Sequence, residues 1–378
     1  MHITKIKNSV AGCLLVMTSF LLITVSVMGA EQEFKTLELV HTYQSEKEFQ
    51  VANARLLREK HLIVDDGEMI TFFDPETGRI LKQIQKEQTF DRVMSSLTTT
   101  ERQQLEDQIT PKALMKTFRE YVIPSYGSEP YLQIREYETA ISDHTEGDGY
   151  QKLLRSTIYN RQGEFMMDLP LDISAVVLAP DRKHLIGYST SLIHPGEYLY
   201  FYSKPGELAK KVPFPHGGGT EINYSADSEY LAIWSIWGYE FFIFTKTGEL
   251  VLKEDAKKYI TPQNINLYEA FVSNNAEYIL LCMGKDEILL NENGTQLWKL
   301  PHKTGFRVAS AYFNISHGQL YISTGFPGIR SNTPGWLRIV NLTDGIVLDE
   351  IMPIYSYTII NQTLYINRGG RYEEYHIK

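Results

Sequence analysis

The chain of 378 residues is 43% hydrophobic, 12% aromatic and 22% charged, a balance that buries a large core and excludes intrinsic disorder. Its formal net charge of −9 excludes nucleic acid as a partner, because affinity for phosphates rests on clustered Lys and Arg. The length fits two ordinary domains or one large repeat domain.

Lys5 and Lys7 precede an apolar run over residues 10–28, with the small residues Gly29 and Ala30 before Glu31. This pattern predicts an export signal over residues 1–30, with an uncleaved membrane anchor over 10–28 as the alternative. Cleavage after Ala30 removes Cys13 and leaves Cys282 alone, so no intramolecular disulfide is expected. Cys282 ends the apolar run Ile279-Leu280-Leu281 and reads as a small buried hydrophobe.

Residues 34–42 form an orphan strand at the start of the mature chain, followed by a short apolar strand at Leu62 to Val64 and a turn at Gly78. From Ile84 to Tyr131 the β pattern lapses. Residues 97–101 resemble a capping box, and Thr110-Pro111 resembles an N-cap followed by Pro at the first helical position. A helical insertion is therefore expected over residues 86–130, its second helix reaching Tyr121 with Leu114 and Phe118 on one stripe. Asp143, His144, Glu146 and Asp148 crowd the next loop but lack the fixed spacing of a helix-loop-helix calcium site. The segment reads as a solvated hairpin tip.

Beyond this point one unit recurs. It is clearest in Ser225-Ala226-Asp227, then the strands Leu231 to Trp234 and Glu240 to Phe244, then Gly248, then Leu250 to Leu252. The preceding unit has Ala179-Pro180-Asp181, Leu185 to Tyr188, Tyr198 to Tyr202 and Gly206, and the following one has Ser273-Asn274-Asn275, Ile279 to Cys282, Glu287 to Leu290 and Gly294. Weaker copies end at Gly163 and Gly345. The turn glycines from 163 onward are spaced by 43, 42, 46 and 51 residues, and the 85 between 78 and 163 spans two periods. Short aromatic strands at this period, with Gly hairpins, are what a four-stranded propeller blade requires. The expected fold is all-β: a β-propeller of about seven blades, with six and eight as the neighbouring counts, occupying residues 31–378 as one domain. The chain ends with three strands, so the N-terminal strand is expected to complete the last blade.

On the Ala179-Pro180-Asp181 and Ser225-Ala226-Asp227 segments, with Leu185 and Tyr230 to Ala232 after them, the chain resembles secreted bacterial propellers of the WD40-like and quinoprotein-dehydrogenase-like superfamily. The resemblance covers roughly residues 55–378. It implies the fold and an extracytoplasmic location. Gly-His and Trp-Asp signatures and tryptophan-docking repeats are absent, so it carries over no subfamily function.

Loops between blades, and those between second and third strands, emerge on one face. That face is expected to carry the insertion and the long loops with His194, Trp237, Tyr239, Phe326 and Arg330, followed by Trp336. Exposed aromatic and Arg side chains carry binding energy, so these six residues are the candidate partner-binding set; packing between blades is the alternative for Trp237, Tyr239 and Trp336. His216-Gly217-Gly218-Gly219 resembles an oxyanion-hole segment, but no Gly-x-Ser-x-Gly elbow accompanies it. His302 and His317 lack zinc-ligand spacing. No catalytic residue, cofactor or metal is assigned. The expected function is non-enzymatic binding or scaffolding of a protein or glycan, with a funnel-site enzyme, a lactonase-like hydrolase or lyase, as the alternative.

Overall fold

The computed structural model describes residues 35–44, 63–74, 77, 79–101, 114–123, 131–141, 151–173, 175–188, 198–214, 220–235, 239–259, 267–283, 286–301, 307–325, 334–360 and 362–378. Within them the chain makes seven antiparallel sheets in succession, the blades of a β-propeller. Blade 1 spans 63–85, blade 2 spans 114–168, blade 3 spans 175–213, blade 4 spans 220–255, blade 5 spans 267–301, blade 6 spans 307–354, and blade 7 is built from 356–377. Six sheets have four strands and blade 1 has three among the described residues. In blade 7 the fourth strand is Leu37–Tyr43, antiparallel to Tyr372–Ile377 from the far end of the chain. The expected closure by the N-terminal strand is present.

The burial pattern shows how the sheets become a ring. Middle strands are apolar along their whole length, as in Tyr230–Ser235 and Tyr278–Met283, because they are buried on both faces. Ile279 and Leu281 enter a cluster with Trp234 and Phe241 of blade 4, whereas Leu280 and Cys282 enter one with Leu320 and Val340 of blade 6. Alternate residues of one strand thus feed two cores. Outer strands are mostly exposed, as in Glu207–Pro213 and Leu250–Asp255. Cys282 lies 5% exposed at the junction of blades 5 and 6, and burial, followed by the nearby Glu287 and Glu269 carboxylates, pushes its thiol well above the usual range.

One hairpin is repeated between third and fourth strands. Gly163, Gly206, Gly248, Gly294 and Gly345 all have positive φ, between 71° and 84°, and each turn is followed by a one-residue register shift, as between Ile243 and Phe244 or Leu289 and Leu290. At Gly163, Gly248 and Gly294 this is the three-residue loop with a glycine bulge, whereas the loop at Gly206 has two residues and that at Gly345 has four. Asn160 and Asn291 fix it by accepting hydrogen bonds from backbone amides two and four residues on. Gly78, in the same sequence pattern, lies outside the described residues.

Glycine meets a second demand where the turn abuts the preceding blade. A Cβ on Gly248 would stand 2.8 Å from Phe201 Cδ2, whereas one on Gly206 would meet nothing within 4 Å. Gly206→Ala should therefore cost only the left-handed strain, about 1–2 kcal/mol. Gly248→Ala should cost a further 1–3 kcal/mol or so by overpacking a ring that is fully buried. Urea denaturation of the two variants checks this, and equal midpoints would remove the second demand.

The expected helical insertion over 86–130 is corrected in its second half. Phe90–Ser95 is a short helix capped by Thr89. The capping box at 98–101 is present: Glu101 Oε2 accepts from the Thr98 amide at 2.8 Å and the Thr98 hydroxyl at 2.9 Å, and the Glu101 amide donates to Thr98 Oγ1 at 3.2 Å. Lys116 and these Thr98 donors hold the Glu101 carboxyl down at about 2. Leu114–Val122, however, is the first strand of blade 2, paired residue for residue with Leu132–Ile141. Leu114 and Phe118 are four apart, a spacing that puts them on one helical stripe and equally on one face of a strand. Thr117, Phe118, Tyr121 and Val122 favour the strand, and the ladder to 132–141 decides it. The Thr110 N-cap and Pro111 lie outside the described residues.

Candidate functional site

First strands start, and second strands end, on the face that carries the loops between blades. Among the described residues blade 2 reaches furthest there. Its first three strands have nine, ten and nine residues, whereas the second strand has four in blade 3 and six in blade 4. Four residues beyond blade 4 correspond to about 13 Å of extra strand. Opposite charges stand at directly opposed positions at the base of this extension, Arg119 against Glu136 and Glu120 against Arg135, and within it, Glu138 against Lys152, the cross-strand pairing that stabilises an exposed sheet.

Helix Phe90–Ser95 braces the base of the extension. Phe90 meets Phe118 edge-on at 5.4 Å, and Phe118 stacks on Tyr137 at 5.3 Å. Arg92 reaches back to Glu68, in the loop between the blade 1 strands Ile63–Asp65 and Met69–Phe73, and to the Lys86 carbonyl. The Arg119 amide donates to the Gln88 carbonyl at 2.8 Å. Blade 1 and blade 2 are thereby tied together on this face.

On the side of blade 2 toward blade 3, the wall is polar where blade 4 presents Ala232 and Trp234 and blade 5 presents Leu280 and Cys282. Buried Gln133 donates to Ser156 Oγ at 2.9 Å, and Arg135 donates to Gln133 Oε1 at 3.0 Å and to Glu120 Oε2 at 3.2 Å. The Tyr137 hydroxyl donates to the same Glu120 oxygen at 3.3 Å. Tyr131 donates to the Val176 carbonyl at 2.5 Å, joining the two blades. Burial pushes Tyr137 up and holds Tyr188 at about 12, the latter also raised by Glu221 on blade 4 and opposed by Arg135. One guanidinium is thus felt by Tyr131, Tyr137 and Tyr188. The arrangement offers donors, acceptors and aromatic edges to a ligand. Among the described residues no group of three metal-ligating side chains converges.

Of the six sequence-derived candidates, His194, Trp237, Phe326 and Arg330 lie outside the described residues. Tyr239 is half-buried on the loop face of blade 4, with Lys257 Nζ 3.8 Å from its ring centroid. Trp336 is corrected: it is fully buried in the third strand of blade 6, with Arg338 stacked 4.9 Å from its ring. It belongs to the packing because the strand begins at Gly335, before Trp336 can reach solvent. Glu120, Gln133, Arg135 and Tyr137 do not stand out while the segment up to Tyr121 reads as a helix; with it as a strand, the opposed charges at 119–120 and 135–136 mark the wall.

No protein-family model and no curated protein matches the chain. Solved structures similar to it, each at 10% identity, include KlHsv2 with loop 6CD replaced by a Gly-Ser linker, with a TM-score of 0.41 over 80% of this chain and 84% of that one. The Cps50 (Swd1) β-propeller domain of Myceliophteria thermophila gives a TM-score of 0.43 over 92% and 99%, and a chain of the mitotic checkpoint complex gives 0.44 over 84% and 86%. The fold assignment rests on the chain's own seven sheets.

Proposed function

We propose that the chain is a non-enzymatic binding or scaffolding propeller that engages a protein partner through its loop face, with the extension of blade 2 as the principal contact. The observation that supports this reading is the overlong, charge-paired sheet of blade 2 with the Arg135–Glu120–Tyr137 cluster on its inner side. A rigid sheet places side chains more reproducibly than a loop, and charged pairs in a defined register set orientation and partner choice. A glycan is the second reading, supported by a tyrosine ring beside hydrogen-bonding carboxylate and guanidinium groups. The Lys5, Lys7 and 10–28 pattern supports action outside the cytoplasm, by export or by an N-terminal anchor.

Arg135→Ala with Glu120→Ala removes both charges without stranding either. Proteins cross-linked to the full chain in its own cells are identified, and the most enriched is titrated against both forms by calorimetry. The variant should bind about tenfold more weakly or worse with unchanged melting. Equal affinity would refute the assignment to blade 2, and enrichment only on a glycan array would replace the protein reading with the second one.

A further inference from the structure

The described chain enters the propeller on the face of the glycine turns, opposite the loop face. Leu37 is paired with Ile377, at the end of the third strand of blade 7, and Tyr43 with Tyr372 at its start, so Lys35 and Thr36 stand where third strands end. Asp349 of blade 6 holds them there, accepting from their amides at 2.8 Å and 2.7 Å. The Lys378 amide donates to the Thr36 carbonyl at 2.8 Å.

Beside this entry point blade 6 departs from the other blades. The residue after the turn glycine is Glu164, Glu207, Glu249 and Thr295 in blades 2 to 5, but Ile346 in blade 6, where it is 58% exposed. Val347 follows it, exposed, on the strand face that also carries Asp349. The turn between first and second strands opens on Ala179, Ser225 and Ser273 in blades 3 to 5, but on exposed Ile315 in blade 6. The Leu342 amide donates to the Gly318 carbonyl at 2.9 Å and ties this turn to the glycine turn. Lys35 and Lys378 are exposed at the same corner, the latter 4.0 Å from Glu38. Single exposed apolar side chains are ordinary; three on two joined turns, next to the incoming chain, form a patch.

The sequence ahead of residue 35 supplies the occupant. Residues 10–28 are a run of 19 without a charge, longer than the roughly 7–15 of a cleaved signal core. As a helix the run would rise about 28 Å, close to the hydrocarbon thickness of about 30 Å. Met28 stands three residues before a cut after Ala30, where a small residue is needed. Lys5 and Lys7 precede the run and no Lys or Arg lies in residues 29–34, which sets the propeller outside. Residues 29–34 reach about 20–25 Å at full extension, so the turn-face corner stays close to the lipid.

We infer that residues 10–28 are retained as a membrane anchor and that the propeller rests on the outer surface of the bilayer by the blade 6 and blade 7 corner of its turn face, with Ile315, Ile346 and Val347 in the headgroup layer. The inference rests on the reading of action outside the cytoplasm and leaves the blade 2 contact unaltered. Glu164, Glu207 and Glu249 are exposed on turns across the ring, and anionic headgroups repel them, so the ring tilts onto this corner and does not lie flat. Strands such as Leu250–Asp255, of 6 residues, put the loop face roughly 20 Å further from the lipid. The blade 2 wall is thereby presented outward.

The full chain is expressed from Met1 in bacterial cells, fractionated, and its N-terminal region read by mass spectrometry; residues 1–30 are expected intact in the membrane fraction. A Cys13→Ser chain, whose Cys282 is buried, then receives Ile346→Cys, Leu250→Cys or Lys152→Cys, is labelled with an NBD fluorophore and is reconstituted into vesicles containing doxyl-labelled lipid. Position 346 is expected to lose most of its emission to the lipid quencher. Position 250, 53% exposed on the far side of the ring, and position 152 on the blade 2 extension are expected to keep theirs. Melting at the wild-type temperature verifies each fold, and Val347→Cys replaces Ile346→Cys should that variant melt early. A chain starting at Glu31 in the extracytoplasmic fluid, an anchored chain quenched no more at 346 than at 152, or equal quenching at 250 and 346 would overturn the inference and spare the reading it rests on. Confinement to the cytoplasm would overturn both.

Discussion

Glu287→Ala is expected to destabilise the protein by about 3–5 kcal/mol, the cost of leaving one member of a buried ion pair without the other. Glu287 is 1% exposed on the third strand of blade 5, and Arg338, 8% exposed, comes from the third strand of blade 6 to donate to it at 3.1 Å. The guanidinium also lies 3.4 Å from the Pro301 carbonyl and 3.6 Å from Glu350, the latter an ion-pair distance rather than a hydrogen bond. Trp336 covers its face. Replacing both partners by apolar residues, Glu287→Leu with Arg338→Met, should recover most of the loss, because no charge then remains buried. Arg155→Ala in blade 2 is the control: its partner Asp168 is at 3.0 Å but both are exposed, so a cost under about 1 kcal/mol is expected. Denaturant titration of the four proteins decides it, and a loss at Glu287 no larger than the control would mean that solvent reaches the pair.

Removing residues 35–44 should cost about 3–6 kcal/mol, from Leu37 and Tyr43 alone at roughly 1.5–3 kcal/mol for each buried side chain. Leu37 is 3% exposed, packed with Leu337, Ile351 and Ile377, and Tyr43 is 8% exposed. The strand is also fastened to its other neighbour: the Lys35 and Thr36 amides donate to Asp349 of blade 6 at 2.8 Å and 2.7 Å, and the Thr36 hydroxyl donates to the same carboxylate. Loss of the strand uncovers the edge of Tyr372–Ile377, so the shortened chain should self-associate. A synthetic peptide of residues 33–45 added in trans should restore both melting temperature and monomer, as read by calorimetry and sedimentation. A shortened chain that stays monomeric with unchanged melting would show that the seventh blade closes without it.

Periodicity carried the fold because the physical demands recur with it. A turn needing positive φ selects glycine in blades 2 to 6, and a strand buried on both faces selects a continuous apolar run, so both were legible at Gly206, Gly248 and Gly294 and at Ile279 to Cys282. The lapse at 86–130 was legible as an interruption, and its capping box at Thr98 and Glu101 was legible in kind. The strand Leu114–Val122 was not, because four-residue spacing satisfies both periods and its partner strand lies beyond a break in the pattern. The ion pair was hidden differently: Glu287 falls where blade 4 has Phe241, a contrast visible only once the registers are aligned.

Because alternate residues of each central strand pack into opposite neighbours, damage to one sheet is communicated both ways around the circle. A stack of repeats with free ends can fray from its termini, each unit holding or yielding almost on its own. Here, among the described residues, the one non-sequential joint, at residues 37–43 and 372–377, is fastened to two sheets. Heat should therefore dismantle the molecule in a single event, with calorimetric and van't Hoff enthalpies in agreement despite a chain long enough for several independent domains.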